Sequence, residues 1–198
     1  QTLIVLMTSY ALSRLRFRMR KPLMKFMLIL GMFPGFLSMI VIYKLLQFMH
    51  LETSLVSLLI IYIGGAAMQY YISKGFFDTV SHSLDEAAMI DGAGALKVFY
   101  HVAIRLSLST ILVVFMFAFV FNWNETYSTS TLMRNSIELV PNQLTLFDNN
   151  LTTSDVGSVN EASKMAATLI SIAPLLLLYA LVQRQFIEGI ENAGITGE

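Results

Sequence analysis

Long apolar stretches without a charged residue alternate along this chain with short charged ones. The four longest uncharged windows are residues 26–43, 53–73, 106–124 and 165–183. A helix needs about 20 mostly apolar residues to cross a bilayer, because each residue adds only about 1.5 Å of length. A soluble helix shows one apolar stripe, whereas these windows are apolar all round. The pattern therefore predicts an all-α, polytopic bundle in a single domain, residues 1–198. The predicted spans are residues 24–45, 53–73, 105–124 and 165–184.

The first apolar run, residues 1–13, is too short to cross a bilayer and is followed by a dense basic block. We expect it to be the second part of a spanning helix, with the N-terminal helix of the bundle missing from this sequence. The block consists of Arg14, Arg16, Arg18, Arg20 and Lys21. Basic segments beside spanning helices remain cytoplasmic. Each predicted span takes the chain to the other side of the membrane. The loop 74–104 is therefore predicted to lie in the cytoplasm and the segment 125–164 outside the cell.

Two prolines fall inside the predicted spans. Proline removes a backbone donor, and its ring collides with the preceding turn of a helix. Pro34 is therefore predicted to kink the second helix, and Pro174 is predicted to interrupt the last one.

Composition narrows the possible functions. Hydrophobic residues make up 56% of the chain and charged residues 13%, with a mean hydropathy of +0.66. Soluble domains usually carry about 25% charged residues. The net charge of zero argues against nucleic-acid binding, and the absence of cysteine excludes disulfides and thiolate metal sites. The three histidines lie in different loops and no catalytic motif occurs, so we expect no catalytic site, no metal site and no enzyme.

The apolar windows also lack the charges of an ion-driven carrier. Such carriers keep acidic or basic residues inside the membrane to bind ions or relay protons. None lies within the four windows, and Arg105 and Glu125 only border them. Uphill transport by this chain would therefore need energy from a partner protein.

The loop 74–104 is predicted to form an elbow of two short amphipathic helices. On a helix over 76–91, the apolar face contains Phe76, Phe77, Val80, Leu84, Ala87 and Ala88. The opposite face contains His82, Asp85, Glu86 and Met89. Gly92 and Gly94 then permit a turn, and the second piece has an apolar stripe of Leu96, Phe99, Tyr100 and Ala103. Such an elbow can rest on lipid, or it can dock in a groove of another protein.

The sequence of the elbow resembles a known family. "EAAMIDG" followed by "VAI" is similar to the EAA loop of binding-protein-dependent ABC importer permeases, in which Glu-Ala-Ala, three residues and Gly precede I-x-L-P by nine residues. Glu86, Ala87, Ala88 and Gly92 match this pattern, and Arg105 stands where the family has proline. Further segments, in order along the chain, resemble the carbohydrate (maltose-type) subfamily. They are "YALSRLRFRMRKPL", "MFPG", "GFF", "NWNE" and "FIEGIENAGITG".

The resemblance implies the type I ABC importer permease fold and a multi-pass protein of the prokaryotic inner membrane. It implies import of a sugar or oligosaccharide by alternating access. The implied partners are a second permease, an ABC ATPase dimer and an extracytoplasmic solute-binding protein, with no nucleic acid. ATP and Mg²⁺ would be bound by the ATPase, and this chain would carry no cofactor.

The resemblance also implies which residues dock on the ATPase. Asp85 and Glu86 would face basic groups of the ATPase, Ala87 and Ala88 would allow its close approach, and Gly92 would form the turn. The helical wheel adds Met89, for which packing in the bundle is the alternative. The segment Ser128–Ser163 resembles the loop that reaches the binding protein, and the tail Ala193–Gly197 resembles one that contacts the ATPase pair.

A candidate substrate path lies at the outer end of the window 106–124. Its residues are Asn122, Trp123, Asn124, Glu125 and Tyr127, because aromatic and amide groups suit sugars. Aromatic residues also form belts at membrane interfaces, which is the alternative interpretation. For the whole chain, the alternatives are a stand-alone channel or facilitator, a permease for a non-sugar solute, and a structural membrane scaffold.

Overall fold

The computed structural model describes residues 1–33, 35–51, 54–132, 139–141, 143–144 and 161–195. The regular secondary structure of these residues is helical, with no strand among them, which confirms the predicted all-α fold. The main helices in chain order are α1 (Thr2–Arg14), α2 (Arg20–Met32), α3 (Gly35–Phe48), α4 (Leu55–Gly64), α5 (Ala67–Thr79), α6 (His82–Ile90), α7 (Ala95–Val98), a π-helical turn (Phe99–Ala103), α8 (Ile104–Leu106), α9 (Leu108–Trp123), α10 (Tyr127–Leu132) and α11 (Glu161–Ile195).

Contacts divide the chain into two compact units. The first comprises Gln1–Pro34, Ile61–Phe119 and Val182–Glu198, and the second comprises Gly35–Ile60 and Val120–Leu181. The predicted elbow belongs to the first unit, and the turn that follows α9 belongs to the second. Each unit is described by itself below.

One helix among the described residues is long and apolar enough to cross a bilayer as it stands, Ala162–Gln185 within α11. Two bent pairs reach the required length only if each pair counts as one span. These are α4 with α5, bent by 54°, and Ala95–Leu106 with α9, bent by 88°. Only the last of the four predicted spans therefore lies in a single helix of spanning length.

The predicted span 24–45 contains a break between two helices rather than a kink in one. α2 ends at Met32, and Phe33 adopts an extended backbone with φ −72° and ψ 133°. A residue that precedes proline is pushed out of the helical region, because its backbone collides with the proline ring. Phe33 precedes Pro34, and this accounts for the position of the break.

Pro174 lies inside α11 without interrupting it, so the predicted interruption is wrong. Proline has no N–H for the carbonyl of Ile170, and a spanning helix tolerates this loss where neighbouring groups compensate. In the turn that precedes Pro174, the indole Nε1 of Trp123 donates to the carbonyl of Ser171 at 3.1 Å. The side chain of α9 therefore bonds to α11 where proline loosens its backbone.

The core of the first unit is built on α1 and α5, which pack along each other. Ser9 is buried, and its hydroxyl donates to the carbonyl of Tyr70 at 3.1 Å. Val5, Tyr70 and Val114 belong to one buried cluster. α1 is thereby fixed to α5 by both polar and apolar contacts.

α2 packs closely against another side of α5. The hydroxyl of Tyr71 donates to the carbonyl of Met24 at 2.6 Å. A Cβ atom built at Gly31 would lie 2.5 Å from the Cβ of Ala67. Because Cβ atoms do not approach this closely, glycine is required for the observed spacing of the two helices.

Candidate functional site

The predicted elbow begins with a break in the helix that precedes it. α5 ends at Thr79, and Val80 is extended with φ −72° and ψ 128°. Ser81 starts α6, because its hydroxyl accepts a hydrogen bond from the N–H of Ser83 at 3.3 Å. The prediction of one helix over 76–91 is therefore wrong. Because the helix is interrupted, the residues of α6 do not continue the angular positions of a helix that begins at Phe76. The two faces predicted above for residues 76–91 therefore do not apply to α6.

Gly92 forms the turn at the end of α6. The N–H of Gly92 donates to the carbonyl of Met89, and the N–H of Ala93 donates to that of Ala88, each at 3.0 Å. These two bonds are the Schellman motif, whose turning residue adopts a left-handed backbone. Gly92 has φ +83°, whereas Gly94 has φ −71° and precedes α7. The turn predicted from two glycines thus depends on the left-handed backbone of Gly92 alone.

Asp85 points into the protein and forms an ion pair with Arg14. Its Oδ2 lies 2.6 Å from the Nε of Arg14, and each side chain is only 7% exposed. Asp85 lies in the first turn of α6, and Arg14 lies in the last turn of α1. Each charge therefore also interacts favourably with the dipole of its own helix. Asp85 is the one buried residue of α6, so the structure places it away from the predicted docking surface.

The end of α1 also holds the junction between α5 and α6. Nη2 of Arg14 donates to the carbonyl of Val80 at 3.0 Å, and the hydroxyl of Ser13 donates to Oδ1 of Asp78 at 2.7 Å. Arg14 thus binds both the extended residue before α6 and the acid inside it. Sequence reasoning used Arg14 only to assign orientation, because nothing in the pattern links it to a residue so distant in the chain.

An aromatic cluster supports the second half of the elbow. The ring of Tyr10 lies 5.5 Å from that of Phe77 and 5.2 Å from that of Phe99, measured between centroids. Phe99 and Ala103 are buried as predicted, but Leu96 and Tyr100 are exposed. A π-helical turn over Phe99–Ala103 accounts for the difference, because it shifts the positions that a regular helix would bury.

The side of α6 opposite Asp85 is exposed and carries both charge and apolar surface. We call Glu86, Ala87 and Ile90 the docking face. Ile90 is 87% exposed, and Met89 on the flank is 51% exposed. Ala88 is partly buried. Sequence reasoning did not identify Ile90, although Ser81 before the helix and Asp85 in its first turn are signals of a helix start that would have corrected the wheel.

The sharp bend after the elbow occurs near the position at which the family pattern has proline. The helical segment Ala95–Leu106 meets α9 at 88°. The bend lies at Ser107, with φ −104° and ψ 13°, and its N–H donates to the carbonyls of both Ala103 and Ile104. The side chain of Arg105 is exposed. The chain therefore turns two residues after Arg105 without a proline.

Two residues of the predicted substrate path make local hydrogen bonds in the second unit. The amide Nδ2 of Asn124 donates to the carbonyl of Val120 at 2.8 Å. Oε1 of Glu125 accepts from the N–H of Ser128 at 2.5 Å, and Oε2 accepts from that of Thr129 at 3.2 Å. Glu125 thus caps the start of α10.

Trp123, as described above, bonds to α11, whereas Tyr127 is exposed and Asn122 is partly buried. The sugar-binding role of these five residues stays a prediction. Most of the predicted outer loop 125–164 lies outside the described residues, as do residues 196 and 197 at the end of the predicted tail Ala193–Gly197. Among the described residues, no three His, Asp or Glu side chains come together as a metal site would require.

Residues 3–192 match the family described as binding-protein-dependent transport system inner membrane component. The galactooligosaccharides transport system permease protein GanQ of Bacillus subtilis (strain 168) is 33% identical over 196 residues, which cover 98% of this chain and 68% of GanQ. The maltose/maltodextrin transport system permease protein MalG of Escherichia coli (strain K12) is 33% identical over 199 residues, which cover 96% of this chain and 64% of MalG. MalG of Vibrio vulnificus (strain YJ016) is 32% identical, and the chain again spans 64% of its length.

A solved structure shares the fold of this chain. It is the crystal structure of a bacterial ABC transporter involved in the import of the acidic polysaccharide alginate. The TM-score is 0.75 at 24% sequence identity, and the match covers 93% of this chain and 69% of the other. This similarity, together with the family match, confirms the predicted permease fold of ABC importers.

Proposed function

The chain belongs to the family of binding-protein-dependent transport system inner membrane components, and we propose that it is the permease subunit of an ATP-driven importer of a sugar or oligosaccharide. Relatives at 32–33% identity are permeases of galactooligosaccharide and of maltose/maltodextrin transport systems. Their names support an oligosaccharide as the substrate class.

The observation that carries the proposal is the position of α6. The helix exposes Glu86, Ala87 and Ile90 on one side and is fixed to α1 on the other by the ion pair of Asp85 with Arg14. A push on the docking face is therefore transmitted to α1, and through the packing of α1 to α5. Rigid-body movement of packed helices is a common way to switch a protein between two states.

The proposed partners follow from this arrangement. An ABC ATPase dimer would bind the docking face and supply the energy, because this chain would hold neither ATP nor Mg²⁺. A second permease would complete the path through the bilayer. An extracytoplasmic solute-binding protein would deliver the sugar to the side on which the segment 125–164 is predicted to lie.

Uptake measured in proteoliposomes tests the proposal. The complex is purified with its partners, and uptake of labelled maltodextrin and galactooligosaccharide is followed with and without ATP. We expect uptake only with ATP, and we expect Ile90→Asp to abolish it by placing an acid in the apolar part of the docking face. Phe17→Asp is the matched control, since Phe17 is an exposed apolar residue outside α6, and it should retain uptake. Uptake that proceeds without ATP would instead favour a channel or facilitator.

A further inference from the structure

Two buried side chains of α1, Tyr10 and Arg14, lie one helical turn apart, and both contact the elbow. Side chains four residues apart share one face of a helix. Tyr10 is 9% exposed, and the side chain of Arg14 is 7% exposed. The guanidinium carbon of Arg14 lies 5.9 Å from the centroid of the Tyr10 ring. At this distance a cation is attracted to the face of an aromatic ring, so the two side chains also interact with each other.

Each of these two side chains binds a different half of the elbow. Arg14 pairs with Asp85 in the first half, α6, and donates to the carbonyl of Val80 shortly before it. Tyr10 packs on Phe99, the first residue of the π-helical turn in the second half, with 5.2 Å between the ring centroids. Phe99 is buried, so water does not reach this contact. One turn of α1 therefore holds both halves of the elbow.

Tyr10 also contacts the end of α5. Its ring meets that of Phe77 at an angle of 82°, with 5.5 Å between the centroids. Phe77 is buried and lies in the last turn of α5. Leu6, Tyr10, Phe77, Phe99 and Ala103 form one buried cluster. The ring of Tyr10 is thus fixed by Phe77 and Phe99 where α1, α5 and the π-helical turn meet.

A fixed ring beside Arg14 matters because an arginine side chain is long and has many rotamers. This freedom is lost when the guanidinium holds a carboxylate in one place, and its loss opposes the ion pair. A guanidinium is planar and weakly hydrated, so it stacks well on an aromatic face. The ring of Tyr10 therefore restricts the guanidinium that binds Asp85.

We propose that Tyr10 is a positioning residue for transport. It holds Arg14 against Asp85, and it joins the second half of the elbow to the same turn of α1. Both halves then move together with α1 when a partner binds the docking face, as packed elements do in a rigid-body transition. This inference rests on the proposed function, because it assigns Tyr10 a role in ATP-driven import.

Hydrogen–deuterium exchange of the complex, purified with its partners, tests the contacts of Tyr10. The exchange rate of a backbone amide reports how often its helix opens locally. In Tyr10→Leu we expect amides of both α6 and the π-helical turn to exchange about tenfold faster, as for the loss of one buried cation–π contact. Tyr10→Phe keeps the ring and should exchange like the unmodified complex. Faster exchange in the π-helical turn alone would overturn the proposal, because Arg14 would then hold α6 without Tyr10.

Uptake per ATP hydrolysed, measured in proteoliposomes with labelled maltodextrin and galactooligosaccharide, tests the role in transport. We expect Tyr10→Leu to hydrolyse ATP but to import about tenfold less per ATP, because the same lost contact no longer passes the movement of the elbow to α1. Tyr10→Phe should match the unmodified complex. Tyr70→Leu is the matched control, since Tyr70 is a buried tyrosine of the first unit in the other cluster, with Val5 and Val114. It should keep the ratio.

An unchanged ratio in Tyr10→Leu would overturn the proposal, and so would an equal fall in Tyr70→Leu or Tyr10→Phe. Phe99→Leu keeps the proposal testable if Tyr10→Leu does not assemble. It leaves Tyr10 beside Arg14, so exchange should rise in the π-helical turn and not in α6, and the ratio should fall. An unchanged ratio in Phe99→Leu would contradict the joint movement of the two halves. Import without ATP by the unmodified complex would instead contradict the proposed function, and the exchange rates alone would then decide whether Tyr10 positions Arg14.

Discussion

Asp85 and Glu125 each lie near the start of a helix, but they stabilise different levels of structure. Asp85 is buried and pairs with Arg14 on another helix. Glu125 is partly exposed and accepts hydrogen bonds from the backbone of the residues three and four positions later. The first contact joins α6 to α1, whereas the hydrogen bonds of Glu125 cap the start of α10. The distance along the chain between the partners therefore distinguishes the contact that joins two helices from the hydrogen bonds that cap one helix.

Removal of Asp85 should have the largest effect. Asp85→Ala leaves the buried charge of Arg14 without its partner, and losing one member of a buried ion pair costs about 3–5 kcal/mol. We expect a large fall in the thermal unfolding temperature of the purified protein. The double variant Arg14→Ala/Asp85→Ala should recover part of the loss. Additive effects of the two substitutions would show that the pair does not couple α1 to α6.

A change at Gly31 tests the packing that the first unit depends on. Gly31→Ala places a methyl group against Ala67, and overpacking of this kind costs about 1–3 kcal/mol. Gly75→Ala is the matched control, since nothing lies within 4 Å of the position that its Cβ would take. There we expect stabilisation of about 0.5–1 kcal/mol, because alanine is the better helix former. Unfolding temperatures that shift in the same direction would contradict the close approach of α2 to α5.

The turn after α6 gives a second matched pair of glycines. Gly92→Ala forces a left-handed backbone on alanine, which costs roughly 1–2 kcal/mol. Gly94→Ala should be nearly neutral, because Gly94 has φ −71° and open space around it. Urea unfolding of the two variants measures the difference. Equal destabilisation would mean that the turn does not depend on Gly92.

The smallest of these losses is expected at Glu125. Glu125→Ala removes a side chain that caps α10, and loss of a cap costs about 0.5–2 kcal/mol. Unlike Asp85→Ala, this change should leave α6 in place and preserve ATPase docking in pull-down assays. A loss of docking as large as that of Asp85→Ala would remove the distinction between the two acids.

The membrane helices and the local backbone turns of this protein can be predicted from its sequence. Uncharged windows of about 20 residues indicate membrane helices, and family membership confirms a membrane permease of the inner membrane rather than an enzyme. The turn at Gly92 follows from a residue that alone tolerates its backbone. The break at Phe33 also follows from a local rule, since Pro34 excludes a helical residue before it.

Features that depend on distant contacts could not be predicted in this way. A helical wheel assumes one uninterrupted helix, whereas the extended residue Val80 ends the helix before α6 begins. The wheel therefore placed Asp85 on the outer face, which agrees with the usual exposure of unpaired charged side chains. The ion pair with Arg14, on a distant part of the chain, favours its burial. The π-helical turn over Phe99–Ala103 likewise shifts which aromatic residues are buried, and no local pattern marks it.

Cross-linking from single cysteines tests the docking face most directly, since the chain contains no cysteine of its own. Cysteine is introduced separately by the changes Ile90→Cys, Glu86→Cys and, as a control, Phe48→Cys. Phe48 lies in the stretch 44–52, between the first two complete predicted spans, and the same count of crossings predicts that this stretch lies outside the cell. Phe48 is 84% exposed and Ile90 is 87% exposed, so accessibility does not distinguish the control. In the active complex we expect the first two variants to cross-link to the ATPase subunit and the third not to. Absence of a cross-link from both Ile90→Cys and Glu86→Cys in a complex that still imports sugar would contradict the account.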